Sequence, residues 1–377
     1  MSKRVLVVAG EISGDMHAGA VVRSVLRRNP NIEFFGIGGE ELHAAGVHVL
    51  HDVKEMAVLG IAEVIRRYGF FRSVFHEMLD LARLSRPDAI LLVDYPGFNL
   101  RFAEQAHRMG LKVLYYVCPQ VWAWHRSRIG RIARIVNRLI VIFPFETEVF
   151  AGTGLKVDFV GHPLVDETQR ALAEPLRELP WSGEPRIALL PGSRRQEVDR
   201  ILPPMAAAAR KLQERIPGAA FLVAAPSEDI ATRIRGIMAG VEQKPPSCRI
   251  MVGQTRQILR QARAAMVASG TATIETALMG CPMIVVYKTS APTYIIGRML
   301  VKISHLGMVN IVAGRTLCPE FIQGAATPDA MAAAMEPLVG DTPARAAMVA
   351  GLEEVRKLLG QGGAADRAAD VILEELS

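Results

Sequence analysis

The sequence predicts an α/β fold of two doubly wound, Rossmann-like domains with an interdomain cleft and helices at the C-terminal end. Three observations carry this. Short apolar runs alternate with stretches of helical spacing along the whole chain, the signature of βαβ units. Those runs are continuously apolar, as strands covered by helices on both faces are. And 377 residues, 50% of them hydrophobic, supply material for two full cores.

The first run, Val5–Ala9, ends at Gly10-Glu11, short of the roughly 7–15 apolar residues of a secretion signal, and reads as a strand. Further strands are expected at Glu33–Gly36, Ala89–Val93, Val113–Val117 and Leu139–Phe143, with a helix at Leu100–Met109. A stretch containing Pro and Glu, Glu174 to Pro185, reads as a linker. The pattern restarts at Ile187–Leu190, followed by a long helix to about Ile216, then Ala220–Ala224, Ala264–Val267 and Met283–Val286. Domains are thus expected over 1–173 and 186–341. The Ala-rich residues 342–377 are expected to form helices that pack back on an N-terminal domain.

No run approaches the roughly 18 apolar residues of a spanning helix, so the chain is expected to lie on a membrane at most. The four cysteines, Cys118, Cys248, Cys281 and Cys318, stand far apart without a Cys-x-x-Cys pair. Neither a metal site nor a disulfide framework is expected, and a reducing compartment fits. The net charge of +6 favours acidic partners: phosphates, anionic lipid or nucleic acid. The charge is concentrated. Residues 105–145 hold no Asp or Glu, yet include Arg108, Lys112, Arg126, Arg128, Arg131, Arg134 and Arg138. A solvated basic helix would look the same. Leu59, Ile61, Val64, Ile65, Tyr68, Phe71, Phe75, Met78 and Leu79 recur at helical spacing beside Arg66, Arg67 and Arg72. That pattern fits a core-facing helix, or a surface helix in a bilayer interface.

Doubly wound sheets bind ligands at the carboxyl ends of their strands, and every candidate motif falls on a strand-to-helix loop. Ser269-Gly270-Thr271 follows Ala264–Val267. Its glycine permits close backbone approach, and the helix start offers N–H groups to a phosphate. Glu275, one turn on, is placed to accept two ribose hydroxyls, although ordinary capping would use the same residues. Pro191-Gly192-Ser193-Arg194-Arg195 follows Ile187–Leu190. Ser193 with Gln196 makes a capping box, but a cation at a helix N-terminus opposes the macrodipole unless an anion binds there. Arginine also grips phosphate with two prongs, which points Arg194 at a diphosphate.

Asp94 ends the strand Ala89–Val93 and opens Asp94-Tyr-Pro-Gly-Phe-Asn99. Asn99 can cap the next helix, which frees Asp94 to take a proton from an attacking hydroxyl; a loop hydrogen bond is the plain alternative. No Asp-x-Asp triplet is available to bridge a metal to a diphosphate, so helix dipole and arginine are expected to neutralise the leaving group. The loop Gly10-Glu11-Ile12-Ser13-Gly14-Asp15 has ligand-loop flexibility but is not Gly-x-Gly-x-x-Gly. A Walker lysine, a Gly-x-Ser-x-Gly elbow and a His-Glu-x-x-His pair are also missing. Trp122 and Trp124, in Val117-Cys-Pro-Gln-Val-Trp-Ala-Trp124-His125, suit a sugar ring or an acyl chain as well as they suit a core.

Taken in order, seven strings resemble the lipid A disaccharide synthase family of bacterial glycosyltransferases. They are Gly10-Glu-Ile-Ser-Gly-Asp15, Asp94-Tyr-Pro-Gly-Phe-Asn99, Pro119-Gln-Val-Trp-Ala-Trp124, Phe159-Val-Gly-His162, Leu190-Pro-Gly-Ser-Arg194, Ala268-Ser-Gly-Thr271 and Asn310-Ile-Val-Ala-Gly-Arg315. The resemblance implies a GT-B fold whose second domain holds the donor. It implies inverting, metal-independent transfer of 2,3-diacylglucosamine from UDP to 2,3-diacylglucosamine 1-phosphate in lipid A biosynthesis. By position, Asp94 resembles the family's essential carboxylate, and Arg194, Glu275 and Asn310 resemble donor-site residues. No cofactor and no nucleic-acid partner is implied. Peripheral attachment to the anionic cytoplasmic face of the inner membrane is, and a homodimer is allowed. Arg131 and Arg134 are then expected to hold the acceptor's 1-phosphate. The chain departs from the pattern at Cys118, where Ser is usual, at Val309, where Pro commonly precedes the Asn, and at Gly97, which replaces an acidic residue of some members. Two other classes share parts of this pattern: a UDP-sugar 2-epimerase, which needs no lipid, and a binding protein, which needs no Asp94.

Overall fold

The computed structural model describes residues 2–56, 67–124, 126–246, 248–300 and 303–377. It divides into two compact units, Met1–Pro163 with Gly360–Ser377, and Leu164–Leu359.

The first unit is built on a seven-stranded, fully parallel sheet. Its strands are β1 (Lys3–Ala9), β2 (Ile32–Gly38), β3 (His48–Asp52), β4 (Ala89–Val93), β5 (Val113–Tyr116), β6 (Arg138–Val141) and β7 (Lys156–Phe159). They lie in the order β3-β2-β1-β4-β5-β6-β7. Val5–Ala9 and Ala89–Val93 pair residue for residue at its centre and are fully buried. Each such Val or Leu contributes about 1.5–3 kcal/mol of burial free energy, which fixes the central register.

The second unit repeats the plan with six parallel strands: β8 (Arg186–Leu190), β9 (Ala220–Ala225), β10 (Cys248–Val252), β11 (Ala264–Ala268), β12 (Met283–Tyr287) and β13 (Glu320–Ile322). Their order is β10-β9-β8-β11-β12-β13. In both units the strand order reverses once, between β1 and β4 and between β8 and β11. At such a switch point the loops on either side diverge and leave a crevice.

Two boundaries differ from expectation. The segment 164–177 is stitched to the second unit instead of ending the first: Arg260 donates to the carbonyls of Ala171 and Glu174, both at 2.9 Å, and Gln257 accepts from the Arg177 N–H. Only the last of the terminal helices returns to the first unit. Helix Pro343–Leu358 stays with the second, where Arg315 pairs with Glu354 at 2.6 Å. Helix Ala364–Leu376 packs on Ile12–Arg28 in the first. There the buried Arg138 guanidinium reaches Glu374 at 3.0 Å and Glu375 at 3.1 Å, and pairs with Asp158 as well. One arginine of the basic run is therefore a structural rivet.

Candidate functional site

Four of the loops singled out above, those that follow β1, β4, β8 and β11, lie at the two switch points. In the first unit, β1 runs into Gly10–Asp15 and β4 into Asp94–Asn99, side by side. Asp94 and Tyr95 have φ of +47° and +48°, and Val117, just past β5, has φ of +64°. Non-glycine residues in this left-handed region cost about 1–3 kcal/mol each and persist only where neighbours over-determine them. Here they do. The Asp94 N–H donates to the Tyr116 carbonyl at 2.9 Å. The Asp94 carbonyl accepts from the Tyr115 hydroxyl at 2.6 Å and from Asn99 Nδ2 at 2.8 Å. Asn99 is not the expected helix cap. It is fully buried, and its amide also reaches the carbonyls of Val8 at 3.4 Å and Val93 at 3.2 Å, joining the ends of β1 and β4. The ring of Tyr95 lies over Gly10, where any Cβ would come within 2.3 Å of Cδ1.

This clamp leaves the Asp94 side chain half-buried at the mouth of the crevice. Its pKa is raised to about 6, first by burial and then by the charge of Glu11; a hydrogen bond from the Tyr95 N–H opposes both. A carboxylate poised there is ionised at neutral pH and still basic enough to accept a proton from an alcohol as that alcohol attacks.

The rest of the loop divides by role. Glu11 and Ser13 are exposed at the crevice, while Gly14 is buried against Val93. Asp15 is not available to a ligand: it is buried, and its carboxylate accepts from the N–H groups of Gly39 (2.7 Å), Glu41 (3.0 Å) and Leu42 (3.1 Å), capping a neighbouring helix. Trp122 is likewise a core residue, its indole N–H donating to Glu146 at 3.2 Å. Glu146 also accepts from the Phe143 N–H at 3.1 Å, and burial pushes its pKa up to about 8. Trp124 is 43% exposed, with the Arg128 guanidinium 5.9 Å from its ring. Arg131 is already paired with Glu104, whereas Arg134 is exposed and donates to the Gly130 carbonyl within its own helix.

Of the residues expected at a membrane surface, Ile61 and Val64 lie outside the described residues. Tyr68 is 58% exposed at the start of helix Tyr68–Ser85. Phe71 and Phe75 instead pack on the core of the first unit, Phe75 edge-on to Phe98 with ring centroids 5.3 Å apart. The apolar face of this helix is taken up by the protein itself.

In the second unit, Gly192, Ser193, Arg194, Ser269, Gly270, Thr271 and Glu275 line one cleft of about 340 Å³ at the β8/β11 switch point. Helix Thr271–Leu278 starts at this cleft, which Thr271 and Ala272 line, with no side-chain cap and no acid in its first turn. Gly270, with φ of +142°, permits that approach; a Cβ on it would meet nothing within 4 Å, and the left-handed backbone alone demands glycine.

The other helix start, before Arg195–Arg215, is occupied. Arg194 is the N-cap, and Glu197, not Gln196, closes the box: its Oε2 accepts from the N–H groups of Ser193 and Arg194, both at 3.3 Å. Glu197 Oε1 holds the Arg194 guanidinium at 3.1 Å, and that side chain is otherwise 76% exposed. Arg195 turns away to Asp229. Glu275 accepts at 2.7 Å from Nε of Arg256, which sequence reasoning did not single out.

Asn310 does not line the cleft. It is fully buried, donating to the Cys318 carbonyl at 2.7 Å and Glu320 at 2.8 Å and accepting from the N–H groups of Leu317 and Cys318. Glu320 in turn holds the N–H groups of Leu306 and Gly307, both at 2.9 Å, and Ser269 donates to the Leu306 carbonyl at 2.8 Å. Asn310 thus reaches the cleft only through this bracket. Among the described residues no three His, Cys, Asp or Glu side chains are grouped to hold a metal, and no helix is long and apolar enough to cross a membrane.

A family profile described as lipid-A-disaccharide synthetase matches residues 5–371. The lipid-A-disaccharide synthase of Syntrophus aciditrophicus is 44% identical over 375 residues, covering 99% of this chain and 97% of the relative. That of Geobacter metallireducens is 39% identical over 384 residues, covering 100% and 98%. Among solved structures, a putative UDP-N-acetylglucosamine 2-epimerase from Listeria monocytogenes superposes with a TM-score of 0.65 at 12% identity, covering 99% of this chain and 95% of that one. A calicheamicin glycosyltransferase does so with a TM-score of 0.59 at 16% identity, covering 100% and 98%. At such identities the structures establish the GT-B fold alone.

Proposed function

We propose a specific reaction for this chain, which belongs to the lipid-A-disaccharide synthetase family and is a glycosyltransferase of lipid A biosynthesis. The donor is UDP-2,3-diacylglucosamine and the acceptor 2,3-diacylglucosamine 1-phosphate; the products are the disaccharide 1-phosphate and UDP. An acceptor hydroxyl attacks C1 of the donor sugar. The bond from C1 to the diphosphate oxygen breaks, the new C1–O bond forms with inversion, and the hydroxyl proton passes to Asp94.

The observation that carries this reading is the Asp94 carboxylate, clamped at the end of β4 with its pKa lifted to about 6. The donor side is supported by the cleft around Gly270. The uncapped start of helix Thr271–Leu278 and the exposed Arg194 supply charge where a diphosphate leaves, and Glu275 supplies an acceptor for ribose hydroxyls. Acylated substrates place the work at a lipid surface. We take the enzyme to be peripheral on the cytoplasmic face of the inner membrane, with exposed Tyr68, Trp124 and Arg134 as candidate contacts. A homodimer belongs to the same proposal, and sedimentation tests it.

Purified protein given UDP-2,3-diacylglucosamine and radiolabelled 2,3-diacylglucosamine 1-phosphate is expected to yield labelled disaccharide and UDP. Asp94→Asn, at unchanged Tm, is expected to lose about 10²–10⁴ in kcat. Conversion of the UDP-sugar at C2 without acceptor would identify an epimerase instead, and UDP-sugar binding without turnover a binding protein.

A further inference from the structure

We infer that Arg256 is a positioning residue: it fixes the orientation of the Glu275 carboxylate in the cleft, and thereby sets the enzyme's preference for a nucleotide carrying a ribose 2′-hydroxyl. The inference rests on the reading of Glu275 as the ribose acceptor and deepens it.

Arg256 lies between two carboxylates from different elements. Its Nε donates to Oε1 of Glu275, on helix Thr271–Leu278, at 2.7 Å. Its Nη2 donates to Oε2 of Glu167, on helix Pro163–Ala173. Arg256 itself sits at the second position of helix Thr255–Gln261, whose first residue lines the same cleft, as does Leu164 beside Glu167. One guanidinium therefore joins the three helices around this end of the cleft. Only arginine can do so, because its planar fork offers donors in two directions at once, whereas lysine presents a single point charge.

The arrangement matters for chemistry because Glu167 and Glu275 are both mostly buried, with side chains 17% and 18% exposed. Without the cation between them, the two carboxylates would repel and swing apart. That movement removes what a ribose needs, a carboxylate with free lone pairs at a fixed place. Arg256 meets Glu275 through one oxygen. Among the described residues, Oε2 of Glu275 accepts no hydrogen bond, so it remains open to a hydroxyl in the cleft. A carboxylate that rotates freely could still attract cations; it could not tell a ribose from a deoxyribose.

The test measures binding of UDP and of 2′-deoxy-UDP to the full chain by calorimetry, with donor KM and kcat measured separately. The wild type is expected to prefer UDP by about tenfold or more, the range for a hydrogen bond to a charged group. Arg256→Met is expected to bring that ratio close to one, raising donor KM while kcat at saturation holds within a few-fold. Arg256→Lys, which keeps the charge and guards against loss of fold, is expected to leave an intermediate ratio. If either variant weakens both nucleotides equally, or keeps the wild-type ratio, Arg256 does not position Glu275 and the inference is overturned. If the wild type itself does not discriminate, and Glu275→Gln changes nothing, the ribose reading of Glu275 has failed and takes the inference with it. The two failures differ in the wild-type ratio.

Discussion

Asn99 Nδ2 donates at 2.8 Å to the backbone carbonyl of Asp94, the residue whose own φ is +47°. The contact joins a buried amide to a strained backbone at the residue proposed as the base. Replacing Asn99 by Ala removes the donor shared by three carbonyls and leaves them buried without it. A loss of about 1–3 kcal/mol in stability is expected, readable as a lowered midpoint in urea. With the Asp94 turn released, kcat is expected to fall about tenfold or more while donor KM changes little. An unchanged kcat in a destabilised variant would show that the turn holds without Asn99.

With Asp94 as the proposed base, Asp94 and Glu11 are expected to set the acidic limb of the rate profile. The charge of Glu11 is the second cause, after burial, of the rise in the Asp94 pKa to about 6. As a base, Asp94 works only when ionised, so kcat is expected to fall tenfold per pH unit below about pH 6. Glu11→Gln removes a like charge, which must lower the Asp94 pKa and move the limb toward lower pH. A limb that stays in place, or moves up, would mean that another group controls it.

The central strands could be read from the sequence and the edges could not. Val5–Ala9, Ala89–Val93, Ile187–Leu190 and Ala264–Val267 are buried on both faces, and their unbroken apolar runs announce it. The four strands without such a signal, β3, β7, β10 and β13, are the two outer strands of each sheet. Half-exposed and short, they carry residues such as His48, Asp52, Lys156 and Glu320, which match no strand pattern. The site divides along a similar line. Glycines and residues at helix starts were legible, because backbone geometry demands them there. Asp15 and Asn310 were not separable from ligand groups, since a polar residue that brackets a loop and one that binds a substrate look alike until their partners are known. Arg256 and Glu146 left no local trace at all. Their partners lie 19 and 24 residues away in sequence, at Glu275 and Trp122, so only the fold brings each pair together.

Glu197 competes with any anion for the start of helix Arg195–Arg215. Its carboxylate takes the N–H groups of Ser193 and Arg194 and holds the Arg194 guanidinium, the group proposed for the diphosphate. Glu197→Gln keeps the hydrogen-bonding shape and removes the charge. UDP is expected to bind a few-fold more tightly, in line with the loss of a partly exposed ionic competitor. Weaker binding would show instead that the charge of Glu197 is needed to hold Arg194 for the ligand.

Glu146 should make stability depend on pH in the direction opposite to that of an ordinary paired carboxylate. Burial raises its pKa from the usual 4.5 to about 8, against the hydrogen bonds from Trp122 and Phe143. The native state therefore binds this proton more tightly than the unfolded chain does. Its contribution is fully present below pH 4.5 and is lost as pH rises through 8. Glu146→Gln is neutral at every pH, so the difference between wild type and variant isolates the titration from all other groups. At pH 5 the wild type is expected to be at least as stable as the variant, since its protonated carboxyl still accepts both N–H groups. Between pH 5 and pH 8 the wild type is expected to lose ground by up to about 1.4 kcal/mol per pH unit, measured by urea denaturation at each pH. A difference that stays constant from pH 5 to pH 9 would mean that Glu146 does not change protonation on folding, and that the Trp122 loop is held by a charged group.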